Sequence, residues 1–207
     1  YLLARTGDEA TLGVLIAIFN AGAIVGGIII GVWGGTRPRI HTIMGGIIAA
    51  GIGLMLVGMG QAPVALGIAL FLMMLPLPMI NASATSLMQV KIPPDLQGRV
   101  FAVIGQLSTV LTPLSYLIIG PLADNVFEPG VNHPAWTNIA PLVGEGVGAG
   151  MGLLMVIGGA LTALTTLLVY ALPAVRRLEA NIPDYAVVAE TPSGALEVST
   201  VDVTAGA

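Results

Sequence analysis

Leu12-Gly13-Val14-Leu15-Ile16-Ala17-Ile18-Phe19-Asn20-Ala21-Gly22-Ala23-Ile24-Val25-Gly26-Gly27-Ile28-Ile29-Ile30-Gly31-Val32-Trp33 is the stretch on which the reading of the whole chain turns. It holds no Asp, Glu, Lys, Arg or His, and about 20 such residues in a helix cross a hydrocarbon core about 30 Å thick. In lipid the backbone finds no water, so a crossing segment satisfies its own N–H and C=O groups and is helical. Four further stretches read the same way: Thr42 to Met59, Ala65 to Met88, Phe101 to Leu122 and Met151 to Leu172. A buried strand is the rival reading of an apolar run, but strands usually end after about 4 to 8 residues. The expected fold is all-α, a polytopic transmembrane helical bundle of five spans.

Composition agrees. Of 207 residues, 56% are hydrophobic and 9% charged, where a soluble domain carries about 25% charged. The 28 glycines suit close helix crossings in a membrane. A net charge of −4 argues against a nucleic-acid partner, and the absence of Cys removes disulfides and thiol chemistry. His41 and His133 each stand alone in the sequence, so no metal site, cofactor or histidine-based catalysis is expected, and the chain is not read as an enzyme. The glycine-rich run from Gly144 to Gly152 has no preceding strand and no following Lys, so it is not a phosphate loop.

The connections are Gly34 to His41, Gly60 to Val64, Gln89 to Val100 and a longer loop from Ala123 to Gly150. Arg37, Arg39, Lys91, Arg99, Arg176 and Arg177, six of the seven cations, fall in alternate connections, leaving only Arg5 on the other side. By the positive-inside rule the chain is a multi-pass protein of the cytoplasmic membrane, its N-terminus outside and its C-terminus cytoplasmic. Residues 1–178 form the transmembrane part, and 179–207 read as a disordered cytoplasmic tail. The first residue is Tyr1, not Met, and no signal peptide is visible, so the chain is expected to be a piece of a longer protein.

Pro76 and Pro78 interrupt the third span and predict a bend there. Beyond them Asn81, Thr85 and Gln89 are spaced four apart and share a helix face, with Met73, Met74, Met79 and Met88 around them. Amides beside flexible Met side chains suit a cavity for varied apolar ligands. The fourth span places Gln106, Thr109, Pro113 and Tyr116 near one face, and Ser108, Thr112 and Ser115 on another. Its hydroxyls have an alternative use, as glue between helices or in bonds back to their own helix. The amides of Asn20, Asn81 and Gln106 are harder to satisfy within one helix. Asn20, Met73, Met74, Asn81, Thr85, Gln106, Thr109 and Tyr116 are the candidate substrate-cavity residues. Gly22 with Gly26, Gly27 with Gly31, and Gly148 with Gly152 have the spacing of helix-packing pairs. None of the spans contains an acid for proton coupling; Asp124, just past the fourth, is the nearest.

The order of spans and loops resembles the C-terminal half of a major facilitator superfamily transporter, from the end of its seventh helix at Tyr1 to Thr6 through its twelfth. Ile92-Pro93-Pro94-Asp95-Leu96-Gln97-Gly98-Arg99-Val100 is similar to a cytoplasmic loop of the macrolide-efflux-like drug exporter branch, and Gly120-Pro121-Leu122-Ala123-Asp124-Asn125-Val126-Phe127-Glu128-Pro129 resembles the outer end of its eleventh helix. The resemblance covers nearly residues 1 to 185 and identifies the five spans with helices 8 to 12. It implies alternating access by two bundles around a midplane site, with a missing N-terminal half as partner, and efflux of small amphipathic or apolar compounds, with proton antiport. Nutrient uptake by the same fold and a non-transporting scaffold are the rival functions. The resemblance also implies cytoplasmic gate loops holding Gly31, Arg37, Arg39, Asp95, Gly98 and Arg99. One part of that pattern is missing, because Gly35 stands near the place of the gate's acid.

Overall fold

Asp8 starts the first long helix. Its extended backbone and its carboxylate, which accepts from the Thr11 amide (2.8 Å) and hydroxyl (2.7 Å), satisfy donors that the first turn leaves free. The helix therefore begins at Glu9, ahead of the apolar run, and closes on Gly34, whose φ of 74° suits glycine. The Thr11 hydrogen bonds hold the Asp8 carboxyl below the usual carboxylate range. The cap is thus present above the unfolded carboxylate's pKa and lost as pH falls through the lowered folded value. Asp8→Ala is expected to fray this end, read as faster hydrogen exchange at Thr11 and Leu12 with the centre of the helix unchanged; equal exchange rates would contradict the capping role.

The computed structural model describes residues 1–181 together with 184 and 185. Its α-helices are α1 (Leu2–Thr6), α2 (Glu9–Trp33), α3 (Ile40–Met59), α4 (Pro63–Met74), α5 (Pro76–Lys91), α6 (Pro94–Leu122), α7 (Glu128–Gly130), α8 (Ala140–Val143), α9 (Ala149–Ala171), α10 (Pro173–Arg176) and α11 (Leu178–Asn181). Among the described residues there is no strand. Five helical stretches are long and apolar enough to span a membrane: α2, α3, α4 with α5, α6 with its extension to Gly130, and α9.

The third span is interrupted where the prolines stand. α4 gives way to α5 at Leu75, since Pro76 and Pro78 bring no N–H to the ladder. α2 lays a glycine face over this break: a Cβ on Gly22 would lie 2.6 Å from the Phe71 carbonyl oxygen, and one on Gly26 would overlap that of Leu75. Gly27 and Gly31, which their spacing pairs with each other, face open space.

α3 is the centre of the bundle, packed on α9 to one side and on α4 and α5 to the other. Its seam with α9 is glycine against glycine. Gly51 meets Gly159 and Gly58 meets Gly152, each so close that a Cβ would strike the opposing carbonyl. Leu15, Val57, Leu66, Ala69 and Leu70 form a buried core at the junction of α2, α3 and α4. α6 buries none of its residues and lies apart from the other spans, touching mainly the end of α5 and its own following turn.

The expected loop from Ala123 to Gly150 is largely helical. Pro121 takes one N–H out of the ladder, the chain continues in a wider π-helical turn over Ala123–Phe127, and the Asn125 amide donates to the Pro121 carbonyl (2.9 Å). α7, a 3-10 turn over Pro134–Asn138 and α8 follow. Of the expected tail, 179–181 form the end of α11, and residues 182, 183 and 186–207 lie outside the described residues.

Candidate functional site

Asn81, Thr85 and Gln89 lie on one exposed face of α5, as their spacing predicts, while Ser83 turns to the opposite, buried side. The Asn81 amide makes no hydrogen bond among the described residues. The same is true of Gln106 on α6, which is also exposed. Asn20 differs: it is exposed, but its Nδ2 donates to the Ile16 carbonyl of its own helix at 2.8 Å. On α6, Ser108, Thr109, Thr112 and Ser115 each donate to the carbonyl four residues back, at 2.8 to 2.9 Å. Those hydroxyls are satisfied within the helix, and Tyr116 is 74% exposed. Met73 and Met74 turn inward, Met73 onto the core and Met74 beside Gly22. Because α6 stands apart, its face and that of α5 do not close into one cavity within this chain.

The cationic connections gather at one end. The Glu179 carboxylate accepts from the Arg39 amide (2.5 Å) and pairs with the Arg39 guanidinium (3.6 Å). Lys91 donates to the Glu179 carbonyl (2.9 Å) and pairs with Asp184 (2.7 Å). Glu179 thus gives Arg39 an acid where Gly35 offers none, a contact the sequence reading missed because 140 residues separate the pair. Gly31, Arg37, Asp95, Gly98 and Arg99 are exposed. Gln97 fastens the turn between α5 and α6 by donating to the carbonyls of Gln89 (3.0 Å) and Ile92 (2.9 Å).

Arg5 and Glu128 organise the opposite end. Arg5 donates to the Val143 carbonyl and stacks over Tyr1 at 5.5 Å, and Glu128 accepts from the Gly148 amide at 2.6 Å. Asp124 is exposed. The sequence sets Arg5 apart as the one cation on its side but gives no sign of its bond to Val143 or of the Glu128 contact with Gly148. Among the described residues no group of three or more His, Cys, Asp or Glu is placed to hold a metal ion.

No family model and no solved structure matches the chain. It is 32% identical over 120 residues to macrolide efflux protein A of Streptococcus pyogenes, and equally to the protein of that name from S. pyogenes serotype M6 (strain ATCC BAA-946 / MGAS10394). The match takes in 56% of this chain and 28% of each relative, so the chain spans under a third of their length. With five helices long and apolar enough to cross a membrane, the chain is a multi-pass membrane protein, and over 120 residues it is similar to an efflux protein.

Proposed function

We propose that the whole protein exports small amphipathic or apolar compounds of drug size across the cytoplasmic membrane by alternating access. Residues 1–178 supply part of the second helical half, and the remainder of the protein closes the cavity. The N-terminus of this chain lies outside and the cationic end faces the cytoplasm, where the connections bearing Gly31, Arg37, Arg39, Asp95, Gly98 and Arg99 form the gate. Transport runs as proton antiport, with its coupling acid outside these spans, which hold none.

The observation that carries this reading is the 32% identity to an efflux protein. The unpaired amides of Asn81 and Gln106 support it, since a polar group with no partner in its own helix is available to a ligand. Asn20, Thr85, Thr109, Tyr116, Met73 and Met74 complete the proposed lining. Asn81→Ala and Gln106→Leu, each made in the whole protein, are expected to change the relative efflux of individual compounds by about two- to tenfold, the worth of one hydrogen bond, with membrane insertion unchanged. Identical efflux of every compound in a panel would count against the assignment.

A further inference from the structure

A second polar space lies at the cationic end, between the connection joining α2 to α3 and the buried side of α5. It is a cavity of about 210 Å³ whose lining includes Gly34, Thr36, Arg37, Arg39, Ser83 and Ser86. No acid lines it. Arg37 has no ion pair among the described residues, and Glu179 is the single acid paired with Arg39.

The hydroxyls divide into satisfied and unsatisfied. Thr36 donates to the Pro38 carbonyl (2.9 Å) and shares a hydrogen bond with Thr42 (2.7 Å). Ser83 is only 5% exposed, and its hydroxyl has no hydrogen-bond partner among the described residues. The open space beside that hydroxyl is this cavity. Gly35 keeps the wall thin, for a Cβ there would come within 3.4 Å of the Ser83 hydroxyl and 3.3 Å of that of Thr42.

Two guanidiniums and two free serine hydroxyls give the cavity a donor-rich lining with a surplus of positive charge. Arg39 also sits at the N-cap of the 20-residue α3, where the helix dipole is positive and a cation is unfavourable. Glu179 already offsets the charge of Arg39, so an anion in the cavity offsets that of Arg37 and gives Ser83 an acceptor. Guanidinium forks match the paired oxygens of a phosphate, and basic pockets where spans leave the cytoplasmic leaflet receive lipid head groups.

We propose that the cavity bounded by Arg37, Arg39, Ser83 and Ser86 binds a phosphate-type oxyanion, carried by an anionic phospholipid or free in solution. Arg37 and Arg39 supply charge, and Ser83 and Ser86 orient the oxygens. This site is separate from the amide faces of the proposed substrate cavity, and its occupancy is measured without transport.

The test uses the purified whole protein and its Arg37→Gln and Ser83→Ala variants. In neutral detergent, the melting midpoint is followed against inorganic phosphate, with chloride at matched ionic strength as control. In parallel, delipidated protein is titrated with phosphatidylglycerol in mixed micelles, with phosphatidylcholine as control. A saturable rise with phosphate, or with phosphatidylglycerol, is expected in the unsubstituted protein, with apparent affinity at least about tenfold weaker in both variants, the worth of a charged hydrogen bond. A response to phosphatidylglycerol alone assigns the group to a lipid head group, and a response to inorganic phosphate assigns a soluble anion. A response to neither, or equal responses in all three proteins, overturns the proposal. The melting midpoint of each variant without added anion shows that it is folded.

Discussion

Replacing Gly58 by valine is expected to unseat α3 from α9 and leave little folded protein in the membrane. A Cβ at Gly58 would overlap the Gly152 carbonyl and lie 2.9 Å from a Val156 methyl, while one at Gly152 would lie 2.7 Å from the Gly58 carbonyl. The obstacle is backbone, which moves only if a whole helix moves. Overpacking a core costs about 1–3 kcal/mol, occasionally more, and this seam belongs at the upper end. Lipid compounds the loss, because helices there associate by packing rather than by escape from water. Gly45, on the same helix, has nothing within 4 Å of a Cβ, so Gly45→Ala is the control. The check is the melting midpoint and folded yield of the two variants in detergent. Similar values for Gly58→Val and Gly45→Ala would show that the glycine seam does not hold the helices.

The second large effect is expected from Arg5→Ala. The Arg5 guanidinium donates to the Val143 carbonyl and stacks over Tyr1. Val143 is fully buried, so removing the donor strands a carbonyl that water reaches poorly. A charged hydrogen bond contributes about 1.5–3 kcal/mol, and the loss of packing adds to it. The same end of the molecule is closed by the Glu128 bond to the Gly148 amide at the start of α9. Arg5→Ala should therefore lower the melting midpoint and speed proteolysis between Val131 and Gly148, while Arg5→Lys keeps a donor and loses less. Unchanged cleavage in that segment would remove Arg5 from its role.

What was legible in the sequence follows from what lipid forbids. A run without charge that is long enough to cross has one solution, so the five spans could be read from length alone, and Pro76 and Pro78 marked the break between α4 and α5. Ends were less legible: Asp8 adds a turn before the apolar run, and Asp124, Glu128 and Pro129, which look like loop residues, continue the helix of the fourth span. Spacing identifies a helix face but not the neighbour that reaches it. Hence Gly22 and Gly26 meet a partner, Gly27 and Gly31 do not, and the Gly51–Gly159 and Gly58–Gly152 contacts emerge only from the docking of α3 on α9. The same limit hid the Glu179–Arg39 and Arg5–Val143 contacts. The candidate cavity was legible as two polar faces. The α6 hydroxyls proved to bond within their helix, and even Asn20 found a carbonyl one turn back. Asn81 and Gln106 keep their amides free of hydrogen bonds among the described residues.

The most direct test is to load cells that produce the whole protein with a fluorescent macrolide and follow its efflux before and after the proton gradient is collapsed. Under the proposed export, faster efflux than in cells lacking the protein, loss of that difference on collapse, and a changed compound preference for Gln106→Leu are expected. Equal retention of the macrolide with and without the protein, across intact gradients and a panel of amphipathic compounds, would contradict it.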